Sequence, residues 1–514
     1  MTAAPDLVLT GRIVTFDPDR PVVADGALYL HDGTVEAVTP RRAPAPAGFG
    51  GTARVATGAT IYPGLIDLHN HLAYNFLPLW TAPRTEPYTS RHQWPGAATY
   101  GRDISNPSQA MGIAAAAATL RYAEVRAAVG GVTAIQGSPP LTRAFPGWMV
   151  RNVEKETFPD RAGEQLVFQA VIKADVAKLR DYAERLAEGR SFIYHLAEGT
   201  APALRQEYRD LRDAGCVHPQ LVGIHCTALG DDEFDDWAPT PGAVVWSPFS
   251  NLWLYGATTD VLARRRGLIV CLGSDWGPSG TRNLLGELKV AALWNDEALG
   301  GALSARELCE LVTANPGDAL ARCWGHDVGR LRPGALADVV VLATRDDDPY
   351  RNLVRAGERH VRLVVVGGRP VYGNRALLRA AGAVDTEDIT VAGVLRGIVM
   401  RLPAEMRPEN PVLAGEVDLS WRAGLAAMQA VVDDPAAAVR TARARAPRGA
   451  VALEFAPDMP GPDNAAARAL TETELDQLVM APIEPLAHDA AWFAGVERGH
   501  PHSAVLRTLR SYFD

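Results

Sequence analysis

Six side chains of this sequence are of types that do chemistry together, and each stands at the end of an apolar run: His69, His71, His195, Glu198, His225 and Asp275. In Pro63-Gly64-Leu65-Ile66-Asp67-Leu68-His69-Asn70-His71 a short apolar run ends in two histidines one residue apart. Residues at i and i+2 of a strand share a face, so the two imidazoles project side by side. Neutral imidazole is the commonest metal ligand, and two converging imidazoles make half of a tetrahedral site. Two histidines on an exposed strand would show the same spacing; the four downstream residues set this pair apart.

Positioning such residues requires strands that end at one place. From about residue 61 the chain alternates strand and helix: strands over 61–68, 131–136, 166–172, 192–196, 221–225, 243–246 and 269–273, with helices over 110–128, 176–188 and 203–214. Repeated βα units with apolar strands imply a parallel sheet. Seven or eight of them over this length fit a (β/α)₈ TIM-type barrel. A doubly wound open sheet is the alternative, weakened because no Gly-x-Gly-x-x-Gly follows the first strand. Both flanks read differently. Leu7-Val8-Leu9, Arg12 to Thr15, Ala27 to Leu30 and Val35 to Val38 are short β runs punctuated by Gly11, Asp17-Pro18-Asp19 and Asp32-Gly33. Strands and turns return after Leu331, in Val339 to Leu342, Val361 to Val366 and Pro370 to Tyr372. The fold expected is therefore α/β. A barrel spans 61–330, a small β-sandwich domain is built from 1–60 and 331–380, and a helical C-terminal extension covers 385–514. In that extension Trp421 to Val432 and Thr471 to Val479 read as helices, and Thr471 with Glu474 has capping-box spacing. Pro408, Pro411 and the Pro457–Pro462 stretch interrupt it. A helical cap or an oligomer contact, such as a homodimer interface, is its expected role.

Composition bounds the function. The chain has 514 residues, 47% hydrophobic and 22% charged, with a formal net charge of −9. That length exceeds one core, and the negative charge argues against nucleic acid as a partner. No apolar run reaches membrane-spanning length, and residues Met1 to Asp6 show no secretory signal, so a cytoplasmic protein is expected. Cys216, Cys226, Cys271, Cys309 and Cys323 are scattered, which suggests free thiols, not a disulfide framework or a thiolate zinc site.

The motif residues resemble the amidohydrolase superfamily. The 63–71 stretch looks like its opening signature. Tyr194-His195-Leu196-Ala197-Glu198, Gly223-Ile224-His225-Cys226, Ser247-Pro248-Phe249-Ser250-Asn251 and Leu272-Gly273-Ser274-Asp275 resemble its later motifs. Thr313-Ala314-Asn315-Pro316 and Leu331 to Asp338 resemble its C-terminal passage, so the likeness spans about 5–375. The resemblance implies that His69 and His71 end the first barrel strand, His195 the fifth, His225 the sixth and Asp275 the eighth. It implies that His69, His71, His195 and Asp275 hold one divalent metal, zinc foremost, with Fe(2+) or Mn(2+) compatible because ligand type alone does not decide. Asp275 would also accept a proton from the attacking water, and His225 would polarise the substrate. Glu198 lies three residues beyond His195, so the chain must turn at once to aim it inward. It would then carry a proton to the leaving nitrogen; the bland alternative is a cap on the following helix.

The activity so implied is metal-dependent hydrolysis of a non-peptide carbon–nitrogen bond in a small cyclic or aromatic substrate, by deamination or by cyclic or aryl amide hydrolysis. Two alternatives stand beside it: a binuclear amidohydrolase using a carboxylated Lys173, and a non-catalytic amidohydrolase-like scaffold. The His-x-x-Glu spacing resembles the one-metal branch. Tyr74, Trp80, Arg91 and Trp94, in the long loop after the first strand, are substrate-binding candidates together with Asn251 and Trp276. Aromatic rings with one arginine suit a planar or carboxylated molecule. Trp276-Gly277-Pro278 departs from the small residues expected after the aspartate in common nucleobase deaminases, which argues against a simple purine or pyrimidine.

Overall fold

A computed structural model of the chain describes residues 5–81, 86–141, 145, 147–171, 175–401, 418–445, 453–455, 470–499 and 501–513. Lys173, Pro408, Pro411 and the Pro457–Pro462 stretch lie outside the described residues.

Two parallel sheets hold the strands that carry the motif residues. One joins β5 (Leu65–Asp67), β6 (Val132–Ile135) and β7 (Arg151–Asn152). The other joins β8 (Val167–Ala170), β9 (Ser191–Leu196), β10 (Leu221–His225), β11 (Ala243–Trp246) and β12 (Ile269–Leu272). Neighbours follow sequence order throughout, unlike a doubly wound sheet, where the order reverses at a switch point. The edges β12 and β5 are tied at their C-terminal ends by an Asn70–Asp275 bridge, in which Asp275 N donates to His69 O at 2.8 Å. Lower down, Ile66 N donates to Val312 O and Leu272 N to Leu311 O, both within 2.9 Å. Across the β7–β8 edge the Gln136 amide donates to both Glu154 and Gln169 at 2.7 Å. Ile66, Ala134, Val167, Ile193, Ile224, Val245 and Cys271 from these strands, with Val153 just after β7, share one buried apolar cluster with the Ala314–Trp324 helix.

The remaining strands form one nine-stranded sheet in the order β16-β17-β15-β14-β13-β4-β1-β2-β3. They are β1 (Leu7–Val14), β2 (Val22–His31), β3 (Thr34–Pro40), β4 (Arg54–Pro63), β13 (Val339–Leu342), β14 (Val361–Val366), β15 (Arg369–Gly373), β16 (Glu387–Val391) and β17 (Val394–Ile398). Val339 to Leu342 pair antiparallel with Pro63 to Thr60, which is where the two flanks of the chain meet.

Several elements differ from the sequence reading. The strand expected over 61–68 is two strands in two sheets, broken at Gly64. A Cβ there would drive into the Thr133 side chain, so only glycine lets the chain cross. Gly11 is not a break but lies inside β1, where an added Cβ would meet Ala59 O and Thr57 Oγ1 at 2.6 Å. The helix expected over 110–128 is split at Ala115 into Asn106–Ala114 and Ala116–Val129. The extension does not begin helically. Residues 387–398 are a hairpin whose turn residues Ala392 and Gly393 both have positive φ, the geometry of a type I′ turn. Period-2 burial of Ile389 and Val391 explains it. Further on, helices do form over Trp421–Asp433, Pro435–Arg445, Glu472–Gln477 and Ala490–Arg498, and Thr471 with Glu474 makes the capping box.

Ala116–Val129 is buried on every face, as a helix covered on all sides must be. Its alanines allow that close cover: Trp421 stacks on Tyr122 with ring centres 6.2 Å apart. Among the described residues no helix is long and apolar enough to cross a membrane.

Candidate active site

The strand ends bring His69, His71, His195, Glu198, His225 and Asp275 into one buried cluster, none more than 4% exposed. His195 Nε2 lies 3.1 Å from His69 Nε2 and 3.2 Å from His71 Nε2. Asp275 Oδ1 lies 3.3 Å from His69 Nε2 and 3.6 Å from His71 Nε2. With metal–nitrogen bonds of about 2.0–2.1 Å, the edges of a tetrahedron are about 3.3–3.4 Å long, so these separations are those of donors around one divalent ion. Burial, reinforced by the neighbouring imidazoles, holds His69 and His195 well below the ordinary histidine pKa, and they stay neutral. Neutral imidazole is the ligating form. Asp275 is pushed up to about 6, first by burial. The donor set thus fits a divalent cation: three buried imidazole nitrogens and one carboxylate.

Partners behind the cluster fix its orientation. His69 Nδ1 bonds Ser247 Oγ at 2.7 Å. His225 Nδ1 donates to Asn251 Oδ1 at 2.8 Å, and the Asn251 amide donates on to Thr258 and Thr259, which turns Nε2 of His225 toward His69 and His195. Asn251 therefore orients His225 and is not left to meet a substrate.

Backbone strain marks the same places. Ala197, His225, Cys226 and Asp275 have φ between 50° and 64°, the left-handed region that costs non-glycine residues of order 1–3 kcal/mol each. At Ala197 this is the turn that swings Glu198 inward. Glu207 Oε2 accepts from Ala197 N at 2.8 Å, and Arg91 pairs with Glu207 Oε1 at 3.1 Å. Arg91 also donates to the His195 carbonyl. Two of its three guanidinium nitrogens thus hold this turn, and Nε is buried without a partner. The arginine expected to bind substrate is thus a side chain 3% exposed that already holds these two partners.

Glu198 itself has two unlike oxygens. Oε1 accepts from Tyr255 OH at 2.6 Å and lies 3.6 Å from His225 Nε2. Oε2 is buried with no hydrogen-bond partner. Tyr255 is in turn held by Trp94 Nε1 at 2.9 Å. Sequence reasoning missed Tyr255; its one signal was its position four residues after Asn251 on the Pro248–Tyr255 helix.

The wall beside His71 is aromatic. Trp276 meets Tyr74 edge-on and Trp94 tilted, both with ring centres 5.2 Å apart, and His71 lies 6.3 Å from Tyr74 and from Trp276. Trp80 sits one layer back, against Tyr100 at 5.8 Å, with its indole N–H on Thr99. A cavity of about 350 Å³, lined by residues that include Glu154, Gln169, Lys178 and Arg185, lies beside β8.

Glu287 is a second buried carboxyl that the sequence did not single out. It accepts from Phe249 N at 2.8 Å and Thr281 Oγ1 at 2.6 Å, so it joins the loop after β12 to the Pro248–Tyr255 helix. Burial pushes it up to about 8. The folded protein keeps it protonated while the unfolded chain ionises it in the ordinary range. Its contribution to stability is therefore full in acid and is lost as pH rises from about 4 towards 8. Glu287→Gln keeps the shape and removes that slope. Melting of metal-stripped protein should fall less between pH 5 and 8 in the variant than in the wild type, and parallel profiles would rule the idea out.

Residues 223–371 match the profile of the Amidohydrolase family. A 5-methylthioadenosine/S-adenosylhomocysteine deaminase of Nitratidesulfovibrio vulgaris is 28% identical over 410 residues, covering 71% of this chain and 92% of that protein. A 5'-deoxyadenosine deaminase of Methanosarcina mazei is 22% identical over 405 residues, covering 71% and 91%. Among solved structures, an adenosine deaminase from Xanthomonas campestris with bound zinc superposes with a TM-score of 0.54 at 21% identity, covering 73% of this chain and 97% of that one. A variant of atrazine chlorohydrolase from Arthrobacter aurescens, complexed with zinc and atraton, does so with a TM-score of 0.58 at 18% identity, covering 71% and 95%. These structural likenesses concern the fold. Over residues 223–371 the chain carries the family's profile, and over about 70% of its length it is similar to these deaminases.

Proposed function

We propose that this chain is a mononuclear, metal-dependent amidohydrolase, a deaminase of an amino-substituted aromatic heterocycle of the adenosine type. Its general chemistry is hydrolysis of a carbon–nitrogen bond other than a peptide bond. The observation that carries the proposal is Glu198: one oxygen is pinned by Tyr255, the other is free and buried beside His225 and the four-donor cluster. That is an acid–base group poised to receive and deliver a proton, and a helix cap would not be built so.

In this reading His69, His71, His195 and Asp275 hold the metal, with zinc first and Fe(2+) or Mn(2+) as alternatives. A divalent ion supplies one thing there: it lowers the pKa of its water from about 15.7 to around 7. Asp275 takes the attacking water's proton. His225, fixed by Asn251, faces the carbon under attack and steadies the charge that develops on its ring nitrogen. Glu198 passes a proton through Oε2 to the departing amine. Tyr74, Trp94 and Trp276 pack against the planar ring. The eight parallel strands close as a (β/α)₈ barrel, with these residues at its C-terminal mouth, where barrel active sites sit. Residues 1–60 and 331–380, with the 387–398 hairpin added, form the small β domain beside it.

Deamination is favoured over amide hydrolysis by the relatives, which are adenosine-type deaminases. The tryptophan after Asp275, which argued against simple nucleobases, then serves as a wall for a larger substrate. The test is ammonia release from adenosine, 5'-deoxyadenosine, 5'-methylthioadenosine and guanine, beside ring opening of a cyclic amide. Ammonia from at least one adenosine-type nucleoside is expected; ring opening with no ammonia from any of them would overturn deamination.

A further inference from the structure

The C-terminal extension carries none of the proposed chemistry, yet residues 484–499 reach the three segments that frame the site. Arg282, seven residues after Asp275 and 3% exposed, is the anchor. Its guanidinium donates to the Ala487 carbonyl and to the Glu484 carboxylate, and lies 3.3 Å from Asp489. Its backbone N–H donates to His488 Nε2 at 3.0 Å, so His488 carries its proton on Nδ1 and gives it to Glu358 at 2.6 Å. Asn283 donates to the same Glu358 oxygen at 2.9 Å. On the barrel side Arg126 holds Arg282 O at 2.6 Å and Thr281 O at 3.2 Å, and also donates to Asn75 O in the loop after β5.

The same tail touches the other two segments. Glu484 N donates to Phe76 O at 3.0 Å. Trp492 packs on Phe249, 5.3 Å between ring centres, at the start of the helix that carries Asn251 and Tyr255. Loop 275–283 is stiff between its ends: Trp276 donates to Ser279, and Pro278 O accepts from Trp80 N at 2.7 Å. A pull on Arg282 is therefore transmitted to Trp276 and Asp275.

From this we infer that residues 484–499 are a strap that positions the Asp275–Asn283 loop, with Arg282 as a positioning residue for the reaction. The inference rests on the active-site reading above. A loop left to move by about 1 Å costs on the order of 100-fold in rate, so loosening the two ion pairs of Arg282 should cost about tenfold.

The test uses full-length, metal-loaded protein with Glu484→Gln and Asp489→Asn combined. This variant keeps every backbone bond of the strap and the Asp489 cap on the Ala490–Arg498 helix. Arg282→Gln is the stronger variant and Arg282→Lys the conservative one; if Arg282→Gln does not fold, the tail-side pair tests the same contacts. Hydrogen exchange of peptides within 275–286 should speed up by about tenfold while kcat/KM falls by a similar factor at unchanged metal content, with partial recovery in Arg282→Lys. A lower Tm with exchange and kcat/KM at wild-type values would overturn the strap, because a merely structural tail moves Tm alone. Faster exchange with unaltered kcat/KM would overturn its role in catalysis. Glu198→Gln separates the two readings: it should lower turnover by about 10²–10⁴-fold without changing exchange in 275–286, so a Glu198→Gln enzyme within about threefold of wild type indicts the active-site reading and leaves the strap to be judged by exchange.

Discussion

Glu198→Gln is expected to retain its full complement of metal and to lose about 10²–10⁴-fold in kcat, the usual contribution of general acid–base catalysis. Glutamine fits the same volume, and its carbonyl oxygen can still accept from Tyr255 OH, so the turn at Ala197 and the neighbouring His225 are undisturbed. What it cannot do is carry a proton on the atom that is now the unpartnered Oε2. The donor cluster does not include Glu198, and no reason exists for metal to leave. Metal content, Tm and kcat measured on one preparation decide the matter. Turnover within about threefold of wild type, with metal and Tm unchanged, would leave Glu198 as a structural carboxylate, since that loss is far below the range for a proton carrier.

His69→Ala should have the largest effect on metal. His69 belongs to both groups of converging donors, one with His195 and His225 and the other with His71 and Asp275. Its loss leaves three donors where four converge, and it empties a fully buried position next to Ser247. Losing even an outer partner of a metal ligand typically costs 10–100-fold in affinity, so removing a donor should exceed about 100-fold. Elemental analysis after dialysis should find most of the metal gone, with activity lost in proportion. His225→Asn is the control: if the ion sits among His69, His71, His195 and Asp275, this variant keeps its metal and loses turnover. Equal metal in wild type and His69→Ala would refute the donor assignment, and metal lost from His225→Asn but kept in His71→Ala would move the ion to the other group.

The sequence by itself determined where chemistry could be and in what order. Each of His69, His195, His225 and Asp275 follows an apolar run, and apolar runs separated by helix-forming stretches make parallel strands whose C-terminal ends lie together. Local pattern is enough for that, because it depends on periodicity and on chain order. The turn after His195 was also legible, since Glu198 had no other way to face its neighbours. Tertiary structure decided the rest. β7 is two residues long and is a strand only because β6 lies beside it, so no run of residues announces it. The break at Gly64 depends on Thr133, which is distant in sequence. Arg91 looked like a hand for a substrate and is buried against Glu207 and a carbonyl, because burying a guanidinium requires that its charge be met. Tyr255 and Arg282 carry no motif at all. One pins Oε1 of the Glu198 carboxylate and the other holds the loop through residues some 200 positions away. Such pairings arise from which surfaces the folded chain presses together, and no local pattern of residue types encodes them.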